Sequence, residues 1–332
     1  MLTPRDSYDQ LLERVTQWAV TTECGKGKLP QGEAQLASVR QRLERAMQKK
    51  IFTLRPHQKQ DWFLKAKAPI VAACTGNRWG KSTAGLASCA VATFHCVPWL
   101  PRDQQDEAYE VYSKVRLKYE PPIKVVLAGP DYTNWLPLVV MPTLRELLPL
   151  DALVTRFSRV QGQIIDGIEW WNGSTWKILS YMGEDERFDG WSAHLVWWDE
   201  QAPHEKFIGG SRGAIDYGAT HVMSYTPDKM NSPWTHDKVY LPGHHVVDEQ
   251  SFLEAEGKKI VIVEGSSTDN PYISKDDIEM QISLWGGDPD IIEARLHGKY
   301  RYLSGRVYKS FAREKHVKPL EHFLPKDKTE AA

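Results

Sequence analysis

The chain has few cysteines, and their spacing is not that of a metal site or a redox motif. Its 332 residues include four, at Cys24, Cys74, Cys89 and Cys96, and no two of them are separated by only two residues. This pattern excludes a disulfide framework and a cysteine-rich zinc site as the basis of the fold. We expect reduced and mostly buried thiols, as in a cytoplasmic protein.

The sequence also lacks a strong net charge, a long apolar run and internal repeats. The formal net charge is −1, so a contact with nucleic acid would need a local basic patch or a pore built by several subunits. No apolar run is long enough to cross a membrane, and the N-terminus does not read as a signal peptide. The length suits one large domain, or one domain with appendages.

The most informative stretch runs from Ile70 to Thr83. A short apolar, β-prone run leads to a glycine-bearing turn, and helix-permissive residues follow. This order is typical of a P-loop, in which backbone N–H groups of the loop and the helix N-terminus bind phosphate oxygens. Gly80 would let the backbone come close, Lys81 would reach the β- and γ-phosphates, and Ser82 would ligate Mg²⁺.

One position departs from the strict pattern G-x-x-x-x-G-K-[ST]. Thr75 stands where the first glycine is expected, and Gly76 follows one residue later. A Gly-Lys-Ser sequence that occurs by chance at a helix start would explain the similarity without any nucleotide site. A second motif is therefore needed to decide between the two interpretations.

That second motif is the run from His194 to Glu200, an apolar strand that ends in two acidic residues. It looks like a Walker B element, in which Asp199 would hold Mg²⁺ directly or through water. Glu200 would act as the general base for an attacking water, which suits hydrolysis rather than transfer to a small acceptor. A strand that merely ends in surface acids is the alternative. With the P-loop upstream, the pair predicts an ATPase that uses ATP and Mg²⁺.

The distribution of strand-like and helix-like runs indicates the fold class. Residues 1–50 predict an N-terminal helical segment, and strands and helices then alternate around the P-loop. Such alternation predicts an α/β fold with a mostly parallel central sheet covered by helices on both faces. The nucleotide would lie at the carboxyl ends of the strands. Asn172-Gly173 is a turn signal that predicts a hairpin.

Two weaker signals concern single side chains near the expected site. Gln58 and Gln60 precede the P-loop strand, and a glutamine amide can read adenine because it both donates and accepts hydrogen bonds. Thr226 follows a later apolar run, and a hydroxyl at such a strand end can sense a γ-phosphate. Ordinary helix and strand-end residues are the alternatives. The basic run from Arg40 to Lys50 predicts either a solvated helix end or a DNA contact.

Taken together, the motifs resemble the large terminase subunits, which are the DNA-packaging motors of tailed double-stranded DNA phages. Gly76-Asn-Arg78 before Gly80-Lys-Ser82 looks like the variant Walker A element of that family. Further matches follow in family order between residues 54 and 312: Pro56-His57-Gln58, Phe188-Asp-Gly190, Asp199-Glu200-Gln-Ala-Pro203, Tyr225-Thr226-Pro227, Thr268-Asp-Asn-Pro271, Arg295-Leu-His-Gly298 and Gly305-Arg-Val-Tyr308.

The resemblance implies a P-loop NTPase of the ASCE type with a small lid subdomain. It implies adenine reading by Gln58, phosphate sensing by Arg78 and coupling by Thr226. It also implies an arginine that acts on a neighbouring subunit: Arg187 lies near the expected place but is out of register, and Arg145 or Arg212 are alternatives. The residues expected to contact the nucleotide are Gln58, Thr75, Gly76, Asn77, Arg78, Trp79, Gly80, Lys81, Ser82, Thr83 and Thr226.

The same resemblance implies partners and a domain plan. The partners are double-stranded DNA, the portal of a procapsid and a small terminase subunit, with monomers that assemble into a homo-oligomeric ring in the host cytoplasm and no membrane contact. The expected domains are residues 1–50, an ATPase domain at 51–312 with lid elements around 244–300, and a linker or tail at 313–332. Family members usually carry a C-terminal nuclease, for which too little sequence follows, so we expect an ATPase module without it.

Other P-loop enzymes fit the sequence less well. A helicase with two RecA-like domains would need a second core domain and a Q-x-x-G-R-x-x-R motif. A P-loop kinase would fit the length, but it would not need Glu200 and would usually carry an arginine-rich lid. Another DNA-linked ATPase or translocase remains the main alternative to a packaging motor.

Overall fold

The structure is a computed structural model that describes residues 2–160, 164–227, 232–286 and 289–300, without the side chains of 185 and 186. The predictions for Gly305-Arg-Val-Tyr308 and for the tail at 313–332 lie outside these ranges. The helices are α1 Pro4–Cys24, α2 Glu33–Met47, α3 Lys50–Thr53, α4 Gln58–Lys65, α5 Lys81–Phe94, α6 Gln105–Tyr112, α7 Met141–Leu147, α8 Leu150–Leu153, α9 His204–Ile215, α10 Pro233–Thr235, α11 Glu249–Leu253, α12 Lys275–Leu284 and α13 Pro289–Arg295.

A single mixed sheet forms the centre of the molecule. Its strands are β1 Ile70–Thr75, β2 Lys124–Gly129, β3 Val154–Val160, β4 Ile164–Trp170, β5 Thr175–Ser180, β6 Leu195–Asp199, β7 Thr220–Tyr225, β8 His244–Val246 and β9 Ile260–Gly265. Within the described ranges their order is β3-β4-β5-β2-β6-β7-β1-β9-β8. Only the pairings of β4 with β3 and with β5 are antiparallel, and the β4–β5 hairpin turns at the predicted Asn172-Gly173. The predicted α/β fold with a mostly parallel sheet is confirmed.

The strand order places the two predicted motifs close together. Strand β7 lies between β1, which leads into the P-loop, and β6, which ends at Asp199. Ser224 of β7 is level with Asp199 on one side and with Ala73 of β1 on the other. Because all three strands are parallel, their carboxyl ends meet at one edge of the sheet, where ligands bind in open α/β folds.

One part of the predicted lid region is corrected by the sheet. Strand β9 pairs with β1 along its whole length, and β8 pairs with β9. The buried residues of β9 belong to the same core clusters as those of β1. Residues 244–246 and 260–265 are therefore part of the central sheet rather than lid elements. Their backbones pair with neighbouring strands, and the buried side chains of β9 pack into the core on both faces of the sheet.

Helices cover both faces of the sheet, as continuous apolar strands require. Strand β6 illustrates this: Trp197 packs into the core on the side of α5, and the next residue, Trp198, packs on the opposite side against α9. Both side chains are 0% exposed. Cys74, Cys89 and Cys96 are free and buried. Among the described residues, no helix has the length and apolar character that a membrane span requires.

Candidate functional site

The loop after β1 presents backbone donors at the start of α5. Arg78 and Gly80 adopt left-handed conformations, with φ of 59° and 99°. The first helical hydrogen bond runs from the Ala84 N–H to the Gly80 carbonyl at 3.0 Å, so the N–H groups of the three residues before Ala84 emerge from the helix end without a helical acceptor. Such a loop and helix start form an anion-binding geometry.

Packing from the C-terminal part of the chain explains why the first glycine of the motif is displaced. The Gly76 N–H donates to the Gly265 carbonyl at 2.9 Å, and the Asn77 N–H donates to the Arg295 carbonyl at 2.6 Å. A Cβ on Gly76 would lie 2.1 Å from the Leu296 carbonyl oxygen. The close approach falls at this residue and not at Thr75, which still belongs to β1, so position 76 needs the glycine.

Two side chains from the segment after β9 hold the same half of the loop. The Ser267 hydroxyl donates to the Asn77 carbonyl at 2.5 Å, and the Asn270 amide donates to the Arg78 carbonyl at 2.6 Å. Asp269, which lies between them, pairs with Lys59 of α4 at 3.1 Å. This segment contains the predicted motif Thr268-Asp-Asn-Pro271, but its contacts with the loop were not predicted. The feature of the sequence that could have indicated these contacts is the run of small polar residues directly after β9.

The other half of the loop is held by the start of α4. His57 Nε2 lies 3.2 Å from the Trp79 carbonyl oxygen, and the Gln60 amide donates to the Trp79 and Gly80 carbonyls at 3.3 Å each. Gly80 itself has a φ of 99°, a conformation that residues with a side chain rarely adopt, so this position also requires a glycine. Gln58 is exposed in the first turn of α4. Of the two glutamines, Gln60 therefore contacts the loop, and adenine reading by Gln58 stays a prediction.

Lys81 lies in the middle of the site with its ammonium group buried. Its Nζ donates to the Gly76 carbonyl at 2.8 Å and to the Thr226 hydroxyl at 2.9 Å. The Thr226 hydroxyl donates in turn to Asn77 Oδ1 at 3.1 Å. Burial lowers the pKa of Lys81, and the charges of Glu200 and Asp199 oppose that shift. Thr226 therefore connects the end of β7 with both ends of the loop.

Asp199 is buried and held by three neutral donors. The Ser224 hydroxyl donates to its Oδ1 at 2.7 Å and Trp135 Nε1 donates to its Oδ2 at 2.8 Å. Ser82 also hydrogen-bonds to this carboxylate. Burial raises the pKa of Asp199, and the hydrogen bonds from Ser224 and Trp135 act against the increase. The two predicted Mg²⁺ ligands, Ser82 and Asp199, are thus brought into contact.

Glu200 follows in a strained conformation, with φ of 62°. Its N–H donates to the Ser224 carbonyl at 2.7 Å, and its carboxylate accepts the Thr226 N–H at 3.4 Å. Water reaches the exposed side chain, yet packed atoms surround the carboxyl closely enough to desolvate it in part. This desolvation first, and the charge of Asp199 second, raise the pKa of Glu200 to about 7. A non-glycine residue in this region is a mark of functional sites.

Comparison with known proteins finds likeness at the level of structure. No protein-family model matches the chain, and no curated protein matches it. The solved structures that match include the large terminase from the thermophilic bacteriophage D6E in crystal form 2, and the same protein in complex with ADP in crystal form 3. Each has a TM-score of 0.50 and 14% sequence identity, over 80% of this chain.

This chain has the fold of a large terminase. It spans 58% of the length of the phage D6E protein in both comparisons. With identity this low, the likeness establishes the terminase fold and leaves the roles of individual residues to the geometry of the site.

The arginines singled out by the sequence pair with groups other than the two acidic residues or are exposed. The Arg78 side chain is exposed at the rim of the loop. Arg187 hydrogen-bonds to Tyr132, and this contact lowers the Tyr132 pKa against the larger effect of burial. Arg212 pairs with Asp189 at 3.5 Å and is 72% exposed, and Arg145 is exposed on α7. Among the described residues, no arginine forms an ion pair with Asp199 or Glu200.

The sequence analysis missed the residues that orient Asp199. Trp135 reaches the carboxylate because Gly129 has no side chain; a Cβ there would lie 2.2 Å from the indole ring. Ser224 also accepts a hydrogen bond from Trp197 Nε1 at 2.9 Å, so its hydroxyl both donates and accepts. The available signal was a serine near the end of a buried strand.

Proposed function

We propose that this chain is the ATP-hydrolysing motor module of a viral terminase, which moves double-stranded DNA into a procapsid. The observation that carries the proposal is the convergence of Lys81 and Ser82 with Asp199 and Glu200 at the carboxyl ends of β1 and β6. The likeness of the fold to a phage large terminase, one of whose structures is in complex with ADP, supports a nucleotide as the ligand.

The side chains and backbone donors of the site fit Mg-ATP. The N–H groups of the first turn of α5, which have no helical acceptor, would bind the phosphates together with the Lys81 side chain. Ser82 and Asp199 would hold Mg²⁺, which neutralises charge on the phosphate oxygens when it is bound. Glu200, with its raised pKa, would take the proton of the attacking water.

The remaining assignments follow from the same proposal. The working form is a homo-oligomeric ring on the portal of a procapsid, assembled in the host cytoplasm from monomers together with a small terminase subunit. Arg187 would act on the ATP of the neighbouring subunit; its exposure and its position in the Asp185–Phe188 turn before β6 support this. Residues 266–300, outside the sheet, would serve as the lid of an ATPase domain that begins near residue 51.

Two substitutions test the ATP site. Lys81→Ala should abolish ATP binding, because it removes the buried ammonium group that donates to the Thr75 and Gly76 carbonyls and that would bind the phosphates. Glu200→Gln should bind ATP normally but hydrolyse it at least ~100-fold more slowly, the usual effect of losing a positioned base. Glu205→Gln, at an exposed position of α9, is the matched control. Near-normal turnover by Glu200→Gln would contradict the proposed mechanism.

A second measurement separates a packaging motor from other P-loop enzymes. A motor should hydrolyse ATP faster when double-stranded DNA or procapsids are added. Stimulation by DNA without any response to procapsids would favour another DNA-linked ATPase. Transfer of the γ-phosphate to a small acceptor, with no release of free phosphate, would favour a kinase.

A further inference from the structure

A cation-rich groove of about 610 Å³, which shares no lining residue with the candidate ATP site, lies between α2, the α7–α8 region and strands β3 and β4. Five cationic side chains line it, and two acidic ones, Glu23 and Asp151, lie among them. The cationic residues are Arg42, Arg45, Lys49, Arg145 and Arg159. In a chain with a net charge of −1, this is a local concentration of positive charge.

Several of these cations differ from exposed cations elsewhere in having no acidic partner. On nearby surfaces Lys50 pairs with Glu146 at 2.5 Å and Arg156 pairs with Glu169 at 3.2 Å. Within the groove Arg42 pairs with Glu23. In the part of the chain that the structure describes, Arg45 and Arg145 pair with no carboxylate, and Lys49 donates only to the Arg145 backbone carbonyl.

The helix ends alone do not account for this arrangement. A cation in the last turn of a helix is stabilised by the helix dipole, and both Arg45 and Arg145 occupy such positions. That effect acts on each helix separately. The contact of Lys49 with the backbone of Arg145 brings the two cationic ends to one groove, where like charges repel one another unless an anion lies between them.

We infer that this groove binds the phosphate backbone of double-stranded DNA. Arg45 lies in the last turn of α2 and Lys49 lies two residues beyond the end of that helix, and both line the groove, where they could neutralise phosphates of a DNA strand. The Trp18 ring, which could otherwise stack on a base, is already covered by the Arg42 guanidinium, 5.4 Å from its centroid. The groove would therefore recognise phosphates rather than bases. The inference rests on the proposed function, which supplies the DNA.

The test compares two charge-matched variants of the full chain. In the first, Arg45→Gln and Lys49→Gln remove two groove cations. In the second, Lys28→Gln and Arg40→Gln remove two exposed cations that do not line the groove. Binding of a mixed-sequence DNA duplex and of one of its single strands is measured between 50 and 200 mM salt, together with ATP turnover with and without the duplex.

The groove variant should bind the duplex more weakly, and its slope of log affinity against log salt should be shallower by about 1.8. Its loss of affinity across that salt range should then be about twelvefold smaller than that of the unmodified protein. The control should retain the original slope, and turnover without DNA should be equal in both variants. Equal changes in the two variants, unchanged duplex binding by the groove variant, or loss of single-strand binding alone would each overturn the inference.

A failure of the groove assignment can be distinguished from a failure of the proposed motor function. If DNA stimulates ATP turnover and the groove variant responds like the unmodified protein, the motor stands and the groove assignment fails. If DNA stimulates none of the proteins although all of them hydrolyse ATP, the motor proposal fails, and duplex binding alone then decides whether the groove contacts DNA.

Discussion

The hydrogen bond from Trp135 to Asp199 offers a sharp test of how the site holds its buried carboxylate. Trp135 is 4% exposed, and its Nε1 lies 2.8 Å from Asp199 Oδ2. Trp135→Phe keeps an aromatic ring and removes this donor. Trp197→Phe is the matched control, because Trp197 is equally buried and its Nε1 donates at 2.9 Å to a neutral hydroxyl, that of Ser224.

The two substitutions should differ because their acceptors differ in charge. A hydrogen bond to a charged group contributes about 1.5–3 kcal/mol to stability, compared with about 0.5–1.5 kcal/mol for a neutral pair. Both variants lose the same ring volume, so the cavity cost should nearly cancel between them. Trp135→Phe should therefore lower the free energy of unfolding by about 1 kcal/mol more than Trp197→Phe. The lost bond should also raise the pKa of Asp199 further, because the Trp135 hydrogen bond now acts against the increase that burial causes.

The functional readout is the Mg²⁺ concentration that supports half-maximal ATP turnover. Loss of a group that orients a metal ligand typically costs about 10–100-fold in metal affinity or activity. We expect an increase of this size in the required Mg²⁺ concentration for Trp135→Phe and a much smaller one for Trp197→Phe. Urea unfolding at pH 7 gives the stability difference. Equal effects of the two substitutions on both measurements would refute the assigned role of Asp199.

Three further predictions concern pH, packing and assembly. Turnover should rise with pH towards neutrality, because Glu200 must be ionised to accept a proton and its pKa is raised to about 7; the residual activity of Glu200→Gln should lack this rise. Gly76→Ala should lower the free energy of unfolding, measured by urea denaturation, by about 1–3 kcal/mol, because the new Cβ would lie 2.1 Å from the Leu296 carbonyl oxygen. Specific activity should increase with protein concentration if Arg187 acts on a neighbouring subunit, and an Arg187→Ala chain mixed with a Glu200→Gln chain should regain part of it; a rate independent of concentration would contradict this assignment.

Local sequence patterns were sufficient to predict the fold class and to predict that the P-loop and the acidic end of β6 lie close together. The apolar runs of β1, β6 and β7 are short and continuous, as buried parallel strands require. Glycine and lysine after one run, and two acids after another, then fall at the same edge of the sheet. These inferences succeeded because each depends on a single short segment and on a general property of parallel sheets.

Contacts between segments distant in sequence could not be predicted in this way. The carbonyls of Gly265, Arg295 and Leu296 determine the shape of the loop, but a backbone carbonyl has no signature in the sequence. Strand β9 was placed in a lid region because nothing in its own residues shows that it pairs with β1. Trp135 was missed for a similar reason, since its reach depends on the absent side chain of Gly129.

Strand β7 gives these separate observations a common physical basis. Side chains alternate along a strand, so Ser224 and Thr226 project from the same side while Tyr225 points into the core on the other. Ser224 donates to Asp199, and Thr226 accepts from Lys81 and donates to Asn77. A shift of β7 along its axis would therefore alter the contacts of the acidic strand and of the P-loop together. This geometry supports the coupling role predicted for Thr226, because one strand end contacts the groups expected to bind Mg²⁺ and those expected to bind phosphate.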